Sequence, residues 1–145
     1  MILLLQRVIK ANVEVNAKCI AKIDAGLLVF CGFEAGDDNT NIDKLLHKLL
    51  AYRIFSDLNG RMNLSVTDIA GGILLVPQFT LAADTKKGLR PSFSSAANPE
   101  TGKLLFKQAC EQLKNAHPLS AFGQFGADMQ VSLTNDGPVT FYLQG

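Results

Sequence analysis

Tryptophan is absent from the chain, and histidine, the side chain whose ordinary pKa suits proton transfer near neutral pH, occurs only as His47 and His117. Neither has an acidic partner or a serine elbow at recognisable spacing. There is no GxSxG, no HExxH, no Walker A loop, no GxGxxG and no DxDxDG calcium loop. The familiar sequence routes to an activated nucleophile, a zinc centre or a bound nucleotide are missing, so neither a metal nor a cofactor is expected. His47, within a helical pattern, reads as a solvated or half-buried helix residue, and His117 as a helix-end residue placed where positive charge is favourable. The three cysteines, Cys19, Cys31 and Cys110, are odd in number, far apart and without a CxxC pair, which excludes a disulfide framework and a thiolate metal site. They read as reduced, buried thiols.

A long opening hydrophobic run is lacking too. The apolar stretch Ile2 to Leu5 gives way to Gln6 and Arg7, too short for a signal segment or a membrane span. A cytoplasmic protein without a membrane partner is the expectation. Charge of neither sign dominates: the net charge is +1 and the pI near 7.7. With no global basic field, any nucleic-acid contact must come from a local patch, and no DNA partner is expected.

What is present is apolar material in two periods. At 145 residues and 48% hydrophobic content, the chain suits one core and one domain spanning residues 1–145. "ILLLQRVIKANVEV" (2–15) and the glycine-bounded "GLLVFCGF" (26–33) read as core strands. Ile42, Leu45, Leu46, Leu49 and Leu50 then recur at helical spacing behind the capping candidates Asp37, Asp38 and Asn39. A second helix opens at Asn98-Pro99-Glu100 and runs to about Asn115, with Phe106, Cys110 and Leu113 on one stripe. Between the helices lie a Leu-Asn-Gly-Arg turn joining short strands, the buried-strand run "GGILLVPQFTL" interrupted by Pro77, and a polar connection from Ala82 to Glu100. Strands resume in "AFGQFG", "MQVSLT" and "VTFYLQ". The order predicts an α+β fold: a small, barrel-like mixed sheet with two main helices.

Chemistry has few places to reside. Gln78 and Thr80 stand at the end of a buried run; without a visible base, Thr80 reads as a weak nucleophile or simply as a β-branched strand residue. Backbone N–H groups at such a strand end offer oxyanion stabilisation without any special side chain. Lys86, Lys87 and Arg90 gather near Phe93, either as an ordinary solvated loop or as a local footprint for the end of an RNA. Asn135-Asp136-Gly137-Pro138 is strong turn chemistry between two apolar runs, which on composition alone predicts a hairpin turn.

Taken together, "QRV" (6–8), "YRIFSD" (52–57), "QFTLAAD" (78–84), "RPSF" (90–93) and "ADMQVSLTNDGPVTF" (127–141) closely resemble the D-aminoacyl-tRNA deacylase family over essentially the whole chain. The combination of QFT with NxGPxT at this separation carries the likeness. The resemblance implies a homodimer that hydrolyses the ester joining a D-amino acid to the 3′ acceptor end of tRNA, a step of translational proofreading, and that also clears glycine mischarged on tRNA. It implies that Gly137-Pro138 has a cis bond and reaches across the dimer into the partner's site as a chiral filter built from backbone carbonyls. On the same basis Gln78 and Thr80 are the catalytic candidates. Phe79 and Arg7 join Gly137 and Pro138 in substrate binding, Lys86, Lys87 and Arg90 are the tRNA-contact candidates, and no cofactor is involved. Two mechanisms fit: attack by Thr80, or assistance by the 2′-hydroxyl of the terminal ribose. The missing base favours the second. One departure stands out, since the family's usual serine before Gln-Phe-Thr is Pro77 here, which removes a hydroxyl and an N–H. A second reading follows from it: a tRNA-end-binding module of the same fold with weak or lost hydrolysis.

Overall fold

The computed structural model describes residues 1–86 and 88–145. Its spine is β1 (Ile2–Val15), long enough to serve three partners. Antiparallel to it along one edge run β2 (Lys18–Ile23), opposite Ala11 to Val15, and β3 (Gly26–Gly32), opposite Ile2 to Val8. Along the other edge β8 (Gln130–Gln144) pairs from Ile2 to Glu14. β6 (Gly72–Pro77) lies parallel to β3, and β7 (Ser120–Phe122) parallel to β6. The mixed sheet curls until β2 comes round against β6 and β7, giving a nearly closed barrel. A small hairpin of β4 (Phe55–Ser56) and β5 (Met62–Leu64) stands apart.

The glycine-bounded apolar run is explained by burial on both faces. Leu27, Val29 and Cys31 of β3 join the core under the helices, while Leu28 enters a second core with Val8, Val13, Leu74 and Val76. A strand covered on both sides has no solvent face and therefore no alternation. Strand β2 escapes the sequence reading for the opposite reason. Its "KCIAKI" is mostly exposed, and it is defined by its pairing and by a turn in which Asn16 and Ala17 adopt φ of 50° and 59°. Cys19 on this strand is exposed, contrary to the expectation of buried thiols, whereas Cys31 is buried and Cys110 half-buried.

Both helices begin where their caps predict. For α1 (Asn39–Ala51), the Asp38 carboxylate accepts from the N–H groups of Thr40 and Asn41, and the Asn41 side chain returns a bond to the Asp38 N–H. Ile42, Leu45, Leu46 and Leu49 are buried. For α2 (Pro99–Ala116), Asn98 accepts from Thr101 and Pro99 takes the first position, where its missing N–H costs nothing. His117 closes α2 and is buried, with Nε2 donating to the Gly71 carbonyl at 2.8 Å; His47 is exposed on α1. The two histidines are structural and solvated, respectively.

Asp38, Asp57 and Asp68 share one electrostatic feature. Backbone N–H donors, from Thr40 and Asn41, from Arg61 and Asn59, and from Ser65, hold their carboxyls below the ordinary aspartate value. A folded-state pKa below the unfolded one stabilises the fold at pH above the unfolded value, and that contribution is lost as pH falls through the lowered folded value. Thermal melts are therefore expected to fall steeply below about pH 4. Asp38→Asn keeps a capping acceptor without a titrating group, so it should flatten part of that slope. An identical acid limb in the variant would show that Asp38 does not contribute.

Candidate active site

The Asn-Asp-Gly-Pro cluster does not make a hairpin. Gln6 pairs with Thr140 and Val8 with Asn135, so both flanks continue along the same partner strand, and Asp136 through Val139 form a bulge opposite Arg7. The turn chemistry is real but is used to push the chain out of a continuous strand and back again. Within the bulge the Gly137-Pro138 peptide bond is cis and Gly137 has φ of +128°. Gly137 and Pro138 are exposed, while Val139 turns inward and is buried.

Arg7 fixes the base of this bulge from beneath. Only 8% exposed, it donates from Nε to the Asp136 carbonyl at 3.1 Å and to the Asp136 carboxylate at 3.0 Å, and from Nη1 to the Ile54 carbonyl at 2.7 Å. One side chain thus ties β1, the bulge and the segment after α1 together. The Ile54 bond is buried, so removing the guanidinium leaves a carbonyl without a donor. Arg7→Met is expected to lower stability by about 2 kcal/mol, several degrees in Tm. Thermal or urea unfolding checks this, and an unchanged midpoint would mean that the clamp is dispensable.

The second constellation lies at the end of β6. Pro77 is that strand's last residue, paired with Cys31, and the next N–H, from Gln78, donates to the Cys31 carbonyl at 2.7 Å. Because successive N–H groups of a strand alternate in direction, the donor that Pro77 lacks would have faced β7. There the ladder has already stopped at Leu75 and Phe122, and the Pro77 ring packs close to Gly123 instead. The proline thus ends the strand, as the sequence suggests. Beyond it Phe79–Ala82 form a short 3₁₀ turn, so Thr80 is not the strand residue expected. It is exposed, and its hydroxyl donates to Gln78 Oε1 at 2.8 Å.

A cavity of about 510 Å³ opens beside this turn, lined by Pro77, Gln78 and Phe79 together with Phe30, Phe125 and Met129. Phe79 also packs on Phe93, with ring centroids 5.1 Å apart. Next to Phe93, Ser92 bridges to Asp84 through backbone bonds of 2.8 and 3.0 Å, closing a loop that carries exposed Lys86 and Arg90. The aromatic pair and the basic loop therefore share one rim of the cavity. Lys87 lies outside the described residues. Arg7, Gly137 and Pro138 do not line this cavity within one chain. The candidate residues fall into two groups, one around the cavity and one around the bulge.

Sequence reasoning missed part of the wall. Cys31 lines the cavity, but burial, reinforced by nearby Cys110, pushes its thiol well above the ordinary value, so it stays protonated and is no nucleophile at neutral pH. Cys110 is likewise pushed up to about 12 by burial and then by Glu111. The segment from Phe125 to Met129 also lines the cavity, and its glycine turn "FGAD" was the available signal.

Residues 4–144 match the family model described as D-Tyr-tRNA(Tyr) deacylase. A D-aminoacyl-tRNA deacylase of Pseudomonas syringae pv. tomato is 58% identical over 141 residues, 97% of each chain. One of Herminiimonas arsenicoxydans is 60% identical over 144 residues, covering 99% of this chain and 97% of its own. The solved structure of a c-Myc DNA unwinding element binding protein superposes with a TM-score of 0.95 at 36% identity, over 100% of this chain and 99% of that one. A probable eukaryotic D-amino acid tRNA deacylase gives a TM-score of 0.87 at 17% identity over 98% and 97%, a likeness of fold. Matched across nearly its whole length by the family model and by relatives well above half identical, the chain belongs to the D-Tyr-tRNA(Tyr) deacylase family, and with it to the hydrolases.

Proposed function

We propose that this protein, working as a single domain, hydrolyses the ester of D-aminoacyl-tRNA, and of glycine mischarged on tRNA(Ala), in the cytoplasm, and spares L-aminoacyl-tRNA. The observation that carries the reading is the exposed Gly137-Pro138 bulge with its cis bond, held at its base by buried Arg7. A fixed projection made of backbone discriminates by shape. It rejects the substrate whose side chain points into it and accepts one whose side chain points away, or which has none. Broad acceptance of D residues and of glycine follows, because no side-chain identity is read.

The bulge belongs in the partner's cavity. Across the sheet, Tyr142, Leu4, Phe30 and Val76 stand in one row, and Phe30 and Val76 line the cavity. Leu4 and Phe30 are only half-buried and Tyr142 is exposed, so an apolar strip runs from the cavity to β8, whose outer edge has no strand partner among the described residues. A second copy seated there in a homodimer covers the strip and brings its own Gly137-Pro138 over Gln78 and Phe79. The terminal adenosine enters the aromatic cavity, where a base stacks favourably, and Lys86, Lys87 and Arg90 meet the phosphates behind it.

Incubation of the pure protein with matched D-aminoacyl-, glycyl- and L-aminoacyl-tRNA, following ester loss, tests the reading. Turnover of the first two and sparing of the third are expected. Intact tRNA binding without turnover of the D form would replace it with the end-binding module. Pro77 gives that second reading little structural support, since it sits where the β6 ladder ends and leaves no strand bond broken.

A further inference from the structure

We propose that Asp128 reads the 6-amino group of the terminal adenine, an inference that rests on the deacylase reading of the same cavity. Asp128 is the one charged residue among those lining the cavity, whose remaining wall is mostly apolar and aromatic. It is exposed at the rim, and among the described residues its carboxylate has no hydrogen-bond or ion-pair partner. It is also carried on a turn that is tied to itself. The Ala127 N–H donates to the Gln124 carbonyl, and the Gln124 N–H to Met129 Sδ, both at 3.3 Å. Phe125 anchors the turn against α2, its ring 6.1 Å from that of Phe106 and close to Gly102, where an added Cβ would approach Phe125 to 3.3 Å. The carboxylate is thus held at a fixed edge of a flat apolar slot.

An ionised carboxylate only accepts hydrogen bonds, so its partner must be a donor. The phosphates of an RNA end are anions and are repelled. The α-ammonium of the aminoacyl group is a donor, but in the proposed site it lies with the ester at Gln78 and the partner's Gly137-Pro138, whose carbonyls already accept. That leaves the nucleoside in the aromatic slot, and adenine presents one exocyclic donor at its edge, the 6-amino group. A hydrogen bond there rejects a 6-oxo base, because two acceptors would face each other.

The test uses D-aminoacyl-tRNA ending in adenosine, purine riboside or inosine. As a probe independent of hydrolysis, binding of the corresponding amide-linked 3′-(D-aminoacyl)amino nucleosides is measured by calorimetry. The wild-type protein is expected to prefer adenosine over purine riboside by about tenfold and to accept inosine worst. Asp128→Ala should remove the preference. Asp128→Asn should keep adenosine, since the amide oxygen still accepts, and gain inosine, since the amide nitrogen then donates to the 6-oxo group; a merely structural role predicts no such gain. A base preference identical in all three proteins would overturn the proposal. So would an Asp128→Asn variant as poor on adenosine as Asp128→Ala, which would assign the carboxylate to the α-ammonium instead. Failure of the deacylase reading is distinct: the wild-type protein would then leave the adenosine-ended D-aminoacyl-tRNA intact.

Discussion

Gly137→Ala is expected to cut the preference for D- over L-aminoacyl-tRNA by about 100-fold while lowering turnover of the D form much less. The reason is local. A Cβ at residue 137 would stand 2.8 Å from Val139 Cγ2, 3.1 Å from the Val139 backbone nitrogen and 3.3 Å from Arg7 Nη2. Val139 is buried and Arg7 is clamped to Ile54 and Asp136, so none of these atoms has an easy way out. A φ of +128° also disfavours any L side chain, at a cost of about 1–3 kcal/mol. The bulge must therefore move by several tenths of an ångström, and a filter that works by clash loses its edge when its atoms move. kcat/KM for both stereoisomers measures the ratio, with a thermal melt to show that the variant is folded. An unchanged ratio in a folded variant would remove Gly137 from the filter, and Pro138→Ala provides a second probe of the same element.

Much of the fold is legible in local chemistry. The Asp38 box and the Asn98-Pro99 start lie within one turn of the residues they cap, so propensity alone locates both helices. The unbroken apolar run of β3 signals a strand covered on both faces. What was not legible depends on partners distant in sequence. Asn-Asp-Gly-Pro looks the same whether the chain reverses or bulges, and only the pairing of Gln6 with Thr140 and of Val8 with Asn135 decides between them. Thr80 looked like a strand residue because nothing local announces that Pro77 ends β6. Arg7 resembled any basic strand residue until the fold brought the Ile54 and Asp136 carbonyls to it. Asp128 carried no motif that separates a rim carboxylate from a solvated one; its distinction is the apolar surface around it, which exists only once the chain has folded.

A D-aminoacyl-tRNA ending in 2′-deoxyadenosine is expected to be hydrolysed at least about 100-fold more slowly, with the loss in kcat rather than KM, since a well-placed proton-transfer group contributes about 10²- to 10⁴-fold. The residues around the cavity give the protein little to work with. The Thr80 hydroxyl donates its proton to Gln78, and that amide oxygen is no base. His117 is buried against Gly71 and His47 stands exposed on α1. Cys31 lines the cavity but is held protonated by burial. An aminoacyl ester is already reactive, so orientation in the cavity together with a hydroxyl vicinal to the ester oxygen supplies what the protein lacks. Thr80→Val is accordingly expected to cost less than about tenfold, the scale of one lost hydrogen bond. The two measurements work as a pair. Full activity on the 2′-deoxy substrate together with a dead Thr80→Val variant would transfer the chemistry to Thr80, whereas a slow deoxy substrate with an active Thr80→Val variant leaves the RNA's own hydroxyl as the group that activates water.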